Sequence, residues 1–343
     1  MSKIITLYNN KGGVSKTTTL FNLAVFLAKE KGKKVLIADC DPQCNVTELF
    51  FASSIYDDPD RELPGTSIYD AMKPRFQGEV ARIDVDSIDL VKSKIYQNLY
   101  LLRGDLEFAN AERYFANAIN QAITENVHEK NTYLALSRLL SGLGKEHEFD
   151  YILCDVGPSA GAITQMVVLS CEAFLLPLIP DRFSNQAVRV LGRIVSDWVK
   201  RHRDIAKTFE PFKMDVFAGT PEFIGAIIQN FKVHSGSSPK ASYERWQKKI
   251  AATVRSSILD NTTIRKPITL TAGNVFIASI KDVGPLAPTA QVVGRAIFDI
   301  HQQDSEKASS TGYKYYGVIW ENWVSRMNDY KEEMAKIAAA LEV

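Results

Sequence analysis

Residues 9–18 read Asn9-Asn10-Lys11-Gly12-Gly13-Val14-Ser15-Lys16-Thr17-Thr18, directly after the apolar run Lys3-Ile-Ile-Thr-Leu-Tyr8. A buried strand that ends in a small-residue turn and continues into a helix aims several free backbone N–H groups and the helix N-terminus at one point. Gly12 and Gly13 permit the chain to wrap there, so the stretch reads as a cradle for a polyphosphate. Lys16 falls at the helix start, within reach of β- and γ-phosphates, and the Thr17 hydroxyl can ligate a bridging Mg²⁺. The helix is marked by Leu20, Leu23, Ala24 and Leu27 at helical spacing, and Gly32 ends it before a second apolar run, Val35–Ala38.

Working outward, that second run ends in Asp39-Cys-Asp-Pro-Gln43, and a third, Phe149-Asp-Tyr-Ile-Leu-Cys-Asp155, also ends in an acid. In an open parallel sheet, ligands bind beyond the carboxyl ends of the strands, so Asp39, Asp41 and Asp155 are placed where a hydrated cation on the phosphates would sit. Any one of these carboxylates alone would equally suit a solvated strand end or a helix cap.

The common phosphate-loop pattern G-x-x-x-x-G-K-[ST] does not fit, because Asn10 and Ser15 occupy its two glycine positions. The pattern K-G-G-x-x-K-[ST] does, and here the chain resembles the deviant Walker A ATPases of the ParA/MinD group. The Asp39–Gln43 segment is similar to that family's D-x-D-P-Q. Tyr100-Leu-Leu-Arg-Gly-Asp-Leu-Glu107 resembles its P-G-D-L-x-L strand, with Arg103 where proline is usual. Phe174–Pro180, Phe223–Asn230 and Val275–Ile280 supply three more strand-like runs in the family's order.

The resemblance implies an α/β fold of the P-loop NTPase (Rossmann-like) class, with a mostly parallel central sheet flanked by helices and a C-terminal helical extension. It implies ATP and Mg²⁺ as cofactors, bound by Gly12, Gly13, Val14, Ser15, Lys16, Thr17 and Thr18. In that family the extra lysine, here Lys11, reaches across a nucleotide-sandwich homodimer to the partner's phosphates. By the same resemblance Lys11, Lys16 and Asp41 are catalytic, Asp41 positioning the attacking water. Thr17, Asp39 and Asp155 belong to the metal site, Asp155 as the Walker B acid and Asp39 supporting the shell. Pro158-Ser159 opens the second switch loop. Asn230 is similar to an adenine-recognising asparagine, although a turn asparagine fits the position as well. Pro285–Ala290 is similar to the loop that lines the base.

Composition agrees. In 343 residues with 45% hydrophobic content, no apolar run approaches the twenty needed to span a bilayer, so a soluble protein with an ample core is expected. The chain opens on a core strand, so neither a signal peptide nor an N-terminal helix-turn-helix is expected. Cys40, Cys44, Cys154 and Cys171 contain no C-x-x-C pair, which suits reduced thiols in a cytoplasmic protein, not metal ligands, and argues against the cluster-carrying members of the superfamily. We expect an ATPase domain over 1–303, with a helical insertion at about 46–148 forming a surface layer, and a linker and C-terminal helix over 304–343.

Net charge is +1, but its distribution is uneven. Residues 39–110 carry fourteen acids and seven bases, residues 182–213 eight bases and three acids, and residues 239–266 seven bases and two acids. Clustered bases without a base-reading motif suit sequence-independent contact with double-stranded DNA. Arg245, Lys248, Lys249, Arg255, Arg265 and Lys266 are the candidates, and a solvated helix face is the plainer alternative. Trp246 could stack on a nucleotide but better suits a core anchor.

The C-terminal stripe Trp320, Trp323, Val324, Met327, Tyr330, Met334, Ile337 and Leu341 could be a membrane helix of the MinD kind, but residues 320–343 carry five acids and three bases. Anionic lipid favours the opposite balance, so docking on the protein itself or on a partner is expected. Tyr313, Tyr315 and Tyr316 resemble the tyrosine cluster of bacterial tyrosine kinases, which lack a Lys11-type signature. The expected function is an ATP-dependent dimerising switch, nucleoid-associated, that positions DNA or other cargo with a ParB-like adaptor. The alternative is an ATP-driven scaffold for a non-DNA protein or membrane cargo.

Overall fold

Successive residues of each central strand face opposite sides of one sheet, and the sequence places an apolar side chain on both. Ile4 and Tyr8, Leu36 and Ala38, and Ile152 and Cys154 enter one core, while Ile5 and Leu7, Val35 and Ile37, and Tyr151 and Leu153 enter the other. Strands apolar on both faces belong to parallel sheets covered by helices on each side. The computed structural model describes residues 2–57, 62–80, 82–231, 237–309 and 312–342.

In chain order the elements are β1 (Lys3–Leu7), α1 (Lys16–Lys29), β2 (Val35–Asp39), α2 (Asn45–Asp57), α3 (Ile68–Phe76), β3 (Val91–Lys92), β4 (Leu99–Leu102), α4 (Ala111–Gln121) and α5 (Val127–Glu146). There follow β5 (Tyr151–Asp155), α6 (Ala162–Ser170), β6 (Ala173–Leu178), α7 (Arg182–Lys207), β7 (Glu222–Phe231), α8 (Ser237–Val254), β8 (Phe276–Lys281), α9 (Leu286–Val293), α10 (Ser305–Ala308) and α11 (Gly317–Leu341). The strands form one sheet in the order β3-β4-β2-β5-β1-β6-β7-β8. All neighbours are parallel except β3 and β4. The register pairs Asp39 with Asp155, so both acids end their strands at the same level.

Residues of α1, α9 and α11 fill one core, and residues of α4, α5, α6 and α7 the other. Of the stretch 46–148, residues 99–102 form β4 inside the sheet, paired with β2. With β3 beside it, that stretch therefore supplies two strands of the scaffold as well as helices. The C-terminal stripe is a packing face: Trp323, Met327, Tyr330, Met334, Ile337 and Leu341 are buried, with Trp320 and Val324 half-buried beside them. Ser279 N donates to Glu333 Oε2 at 2.6 Å, which ties α11 to β8. Among the described residues, no helix is long and apolar enough to cross a membrane.

Candidate functional site

The turn between β1 and α1 is built as its sequence requires. Gly13 has φ +71°, and Ser15, at the N-cap of α1, has φ +59°. The left-handed geometry that glycine ordinarily supplies is thus kept by a serine, at a cost on the order of 1 kcal/mol. Asn9 holds the turn down, its Nδ2 donating to the Pro177 carbonyl at 2.8 Å while its Oδ1 accepts from Lys11 N at 3.0 Å. Behind α1, Gln229 Nε2 of β7 donates to Thr19 Oγ1 at 2.7 Å.

A pocket of about 690 Å³ opens over this turn, lined by Gly12, Gly13, Val14, Ser15, Lys16, Thr17 and Thr18 together with Asp41. Its far wall comes from α2 (Asn45, Glu48, Leu49, Ala52) and from Gln291 and Val292. The Pro285–Ala290 segment, expected as a loop, is instead the N-cap and first turns of helix α9. The residues of α9 that line the pocket lie one position further on.

Lys16 is only 7% exposed; burial lowers its pKa, against the opposing pull of Asp155 and Asp41. Asp155 is fully buried and neither carboxylate oxygen has a hydrogen-bond partner. Burial, reinforced by the charges of Asp39 and Asp41, raises its pKa to about 8, with Thr17 and Lys16 offsetting part of the shift. A buried carboxylate with so few donors is costly, and a cation at this strand end would answer its charge.

Asp39 differs. Its Oδ2 accepts from Thr47 N at 3.0 Å and Thr47 Oγ1 at 2.6 Å, and its Oδ1 accepts from Asp41 N at 3.2 Å. Burial still raises it to about 7. Both oxygens serve the β2–α2 turn, so Asp39 organises the loop that carries Asp41 and does not line the pocket. Asp41 is 6% exposed and anchored by Gln43 N donating to its Oδ1 at 3.0 Å. Gly157 leaves room for it, since a Cβ there would lie 3.1 Å from Asp41 Oδ1. The following loop is pinned by Glu112, which accepts from Ala162 N at 2.6 Å and Ile163 N at 3.0 Å, an acid on the N-terminus of α6.

Lys11 is not among the lining residues. Its Nζ lies 2.6 Å from Asp181 Oδ2 and 3.3 Å from Ser184 Oγ, at the start of α7. Asp181 also caps that helix, its Oδ1 accepting from Ser184 N at 2.6 Å. Burial works to raise the Asp181 pKa, but the Lys11 and Ser184 contacts outweigh it and hold the carboxyl below its ordinary value.

Asn230 lies within β7, not beyond it, and its side chain falls outside the described residues. Arg245, Lys248, Lys249, Arg255 and Arg265 are exposed. Lys249 Nζ stands 5.1 Å from the centre of the half-buried Trp246 ring, and Arg255 Nε lies 3.9 Å from Asp260 Oδ2. Lys266 departs from the expectation, because its ammonium turns inward onto the Leu259 carbonyl.

Sequence comparison adds an independent result. The model of the AAA domain family matches residues 2–207, more than half of the chain. The sporulation initiation inhibitor protein Soj of Bacillus subtilis is 30% identical over 191 residues, covering 56% of this chain and 64% of Soj. The match thus leaves over a third of that relative's length uncovered. A ParA family protein of Chlamydia muridarum is 24% identical over 295 residues, covering 84% of this chain and 93% of its own. Among solved structures, the McdA–ATP complex of Cyanothece superposes with a TM-score of 0.60 at 17% identity, covering 100% of this chain and 97% of that one, a likeness of fold.

Proposed function

The chain belongs to the AAA-domain family of ParA/MinD-type P-loop ATPases, and we propose from this that it is an ATP-dependent dimerising switch that binds duplex DNA without sequence preference. The observation that carries the reading is the division of labour between the two lysines of one loop. Lys16 lines its own pocket, whereas Lys11 stands outside it. A loop lysine outside its own pocket can complete that of a second subunit once its pair with Asp181 opens.

In this reading the β1–α1 turn binds ATP through its backbone N–H groups, and Lys16 neutralises the β- and γ-phosphates. Asp41 orients water for in-line attack on the γ-phosphate, with Gly157 and Asp39 fixing its position. Mg²⁺ would be held by Thr17 and phosphate oxygens with Asp155 behind them, supplying charge neutralisation. The orphaned Asp155 carboxylate supports that fit. Among the described residues no cluster of three or more His, Cys, Asp or Glu is arranged to hold an ion, which suits Mg²⁺ carried mainly by phosphate and water. Positioning and charge neutralisation account for the chemistry. Hydrolysis, slow until a ParB-like adaptor stimulates it, separates the subunits and releases the nucleoid.

Random-sequence duplex in a gel shift, with ATP, with ADP and without nucleotide, at two salt concentrations, tests the proposal. Salt-sensitive binding that requires ATP is expected. ATP-dependent dimers that ignore DNA would keep the ATPase and move its cargo to a protein or membrane partner.

A further inference from the structure

Helices α7 and α8 lie against each other, with Thr253 Oγ1 donating to Asn185 Oδ1 at 2.7 Å across the contact. After α8 the chain continues as a single π turn, Arg255–Leu259. The approach of this turn to α7 depends on Gly192, where a Cβ would come within 2.3 Å of the Ser257 carbonyl oxygen. Any larger residue would push the two elements apart.

The close approach forms a cleft of about 510 Å³ lined by Arg189, Arg193, Ser256, Ser257 and Asn261. Arg189 and Arg193 flank Gly192 on α7, four residues apart and so on one face. Both are exposed, and among the described residues neither has an ion pair or hydrogen bond. Arg103 is answered by Asp70 and Asp105 and Arg295 by Asp299 and Asp304, whereas among the described residues Arg189 and Arg193, like Arg182 and Arg203 on the same helix, have no acid partner. No carboxylate lines this cleft. Two guanidinium groups on one helix face without a counter-charge repel each other, and an anion in the cleft would reduce the repulsion. The two basic stretches of the sequence, 182–213 and 239–266, meet along the same contact.

We propose that this cleft seats backbone phosphates of duplex DNA, with Arg189 and Arg193 as paired forks and the Ser257 hydroxyl and the Asn261 amide completing the donor set, while the Ser256 hydroxyl is held by the Thr253 carbonyl. Guanidinium presents its donors in a geometry that matches two oxygens of one phosphate. The π turn places Ser257 and Asn261 beside α7. The proposal rests on the DNA reading above and adds to it the residues of α7, which provide a shallow cleft beside the row of charges on α8.

The test compares the Arg189→Ala/Arg193→Ala protein with Lys200→Ala/Arg203→Ala, which removes two exposed charges from α7 outside the cleft. Affinity for random-sequence duplex is read by fluorescence anisotropy with ATP across a salt series. Dimer mass and ATP hydrolysis serve as controls, since neither pair lines the nucleotide pocket. The cleft variant should lose at least about tenfold in affinity, and its log–log salt slope should become shallower by about 1.8, or about 0.9 for each phosphate no longer neutralised. The control pair should change much less. Ser256→Asp, which puts a negative charge on the rim without removing an arginine, should reproduce the loss and guards against misfolding of the double variant. Equal losses from both pairs would overturn the cleft in favour of a diffuse field. Full affinity in the cleft variant would overturn it while leaving the DNA reading intact. A wild-type protein that binds no DNA ends both. Binding to phosphatidylglycerol vesicles that the cleft variant loses, with DNA affinity unchanged, would assign the arginines to lipid instead.

Discussion

Lys11 and Asp181 form an ion pair of 2.6 Å within one chain, and the same Asp181 side chain caps α7 through Ser184 N. For Lys11 to reach a second subunit this pair must open. Asp181→Asn keeps an N-cap acceptor while removing the charge. The pair is partly exposed, with 25% and 37% of the two side chains accessible, which limits its worth to about 1 kcal/mol. The ATP concentration needed for half-maximal dimerisation should therefore fall about fivefold in Asp181→Asn, measured by sedimentation velocity. A requirement unchanged or raised would mean that Lys11 is not restrained by this contact.

The C-terminal helix is held by its own apolar face. Met334 and Ile337 are fully buried, and truncating side chains of this kind to alanine costs about 2–5 kcal/mol. Ile337→Ala should lower the urea midpoint accordingly. If the change is small and the wild-type helix instead gains protection from proteolysis on anionic vesicles, the docked arrangement is wrong.

A buried histidine makes stability depend on pH. His202 is 2% exposed, its Nε2–H donates to the Phe217 carbonyl at 3.0 Å, and its Nδ1 accepts from Tyr133 Oη at 2.8 Å. Burial lowers its pKa below 6.5. The unfolded chain then binds the proton more readily, so stability present above pH about 6.5 is lost as pH falls towards the folded-state pKa, by up to about 1.4 kcal/mol per unit. His202→Gln should flatten that part of the stability–pH curve, measured by urea unfolding between pH 7.5 and pH 5. A wild-type curve already flat there would contradict it.

What the sequence made legible follows the range of the interactions. The phosphate turn, α1 and the two acid-ended strands are local patterns, and parallel pairing set Asp39 and Asp155 at one level. Lys11 and Asp181 are 170 residues apart, and no spacing rule links them. The resemblance made Pro285–Ala290 read as a loop, yet the structure accommodates Pro285 at the N-cap and Pro288 in the first turn of α9, where a missing N–H costs nothing. Gly192 gave no sign of its role, because its neighbour Ser257 arrives from another helix. Lys130 reads as a surface charge but is fully buried, its Nζ donating to the carbonyls of Ala122 at 2.6 Å and Thr208 at 3.0 Å. These are the C-caps of α4 and α7, where the helix dipole favours a cation.

The central claim is that ATP, and not its hydrolysis, closes the dimer. Its most direct test is the mass of Asp41→Ala in solution by light scattering, with Mg²⁺ and either ATP or ADP, beside Lys16→Ala. The account predicts a stable Asp41→Ala dimer with ATP, a monomer with ADP, hydrolysis reduced at least about 100-fold, and a Lys16→Ala protein monomeric throughout. An Asp41→Ala protein that stays monomeric with ATP would contradict it.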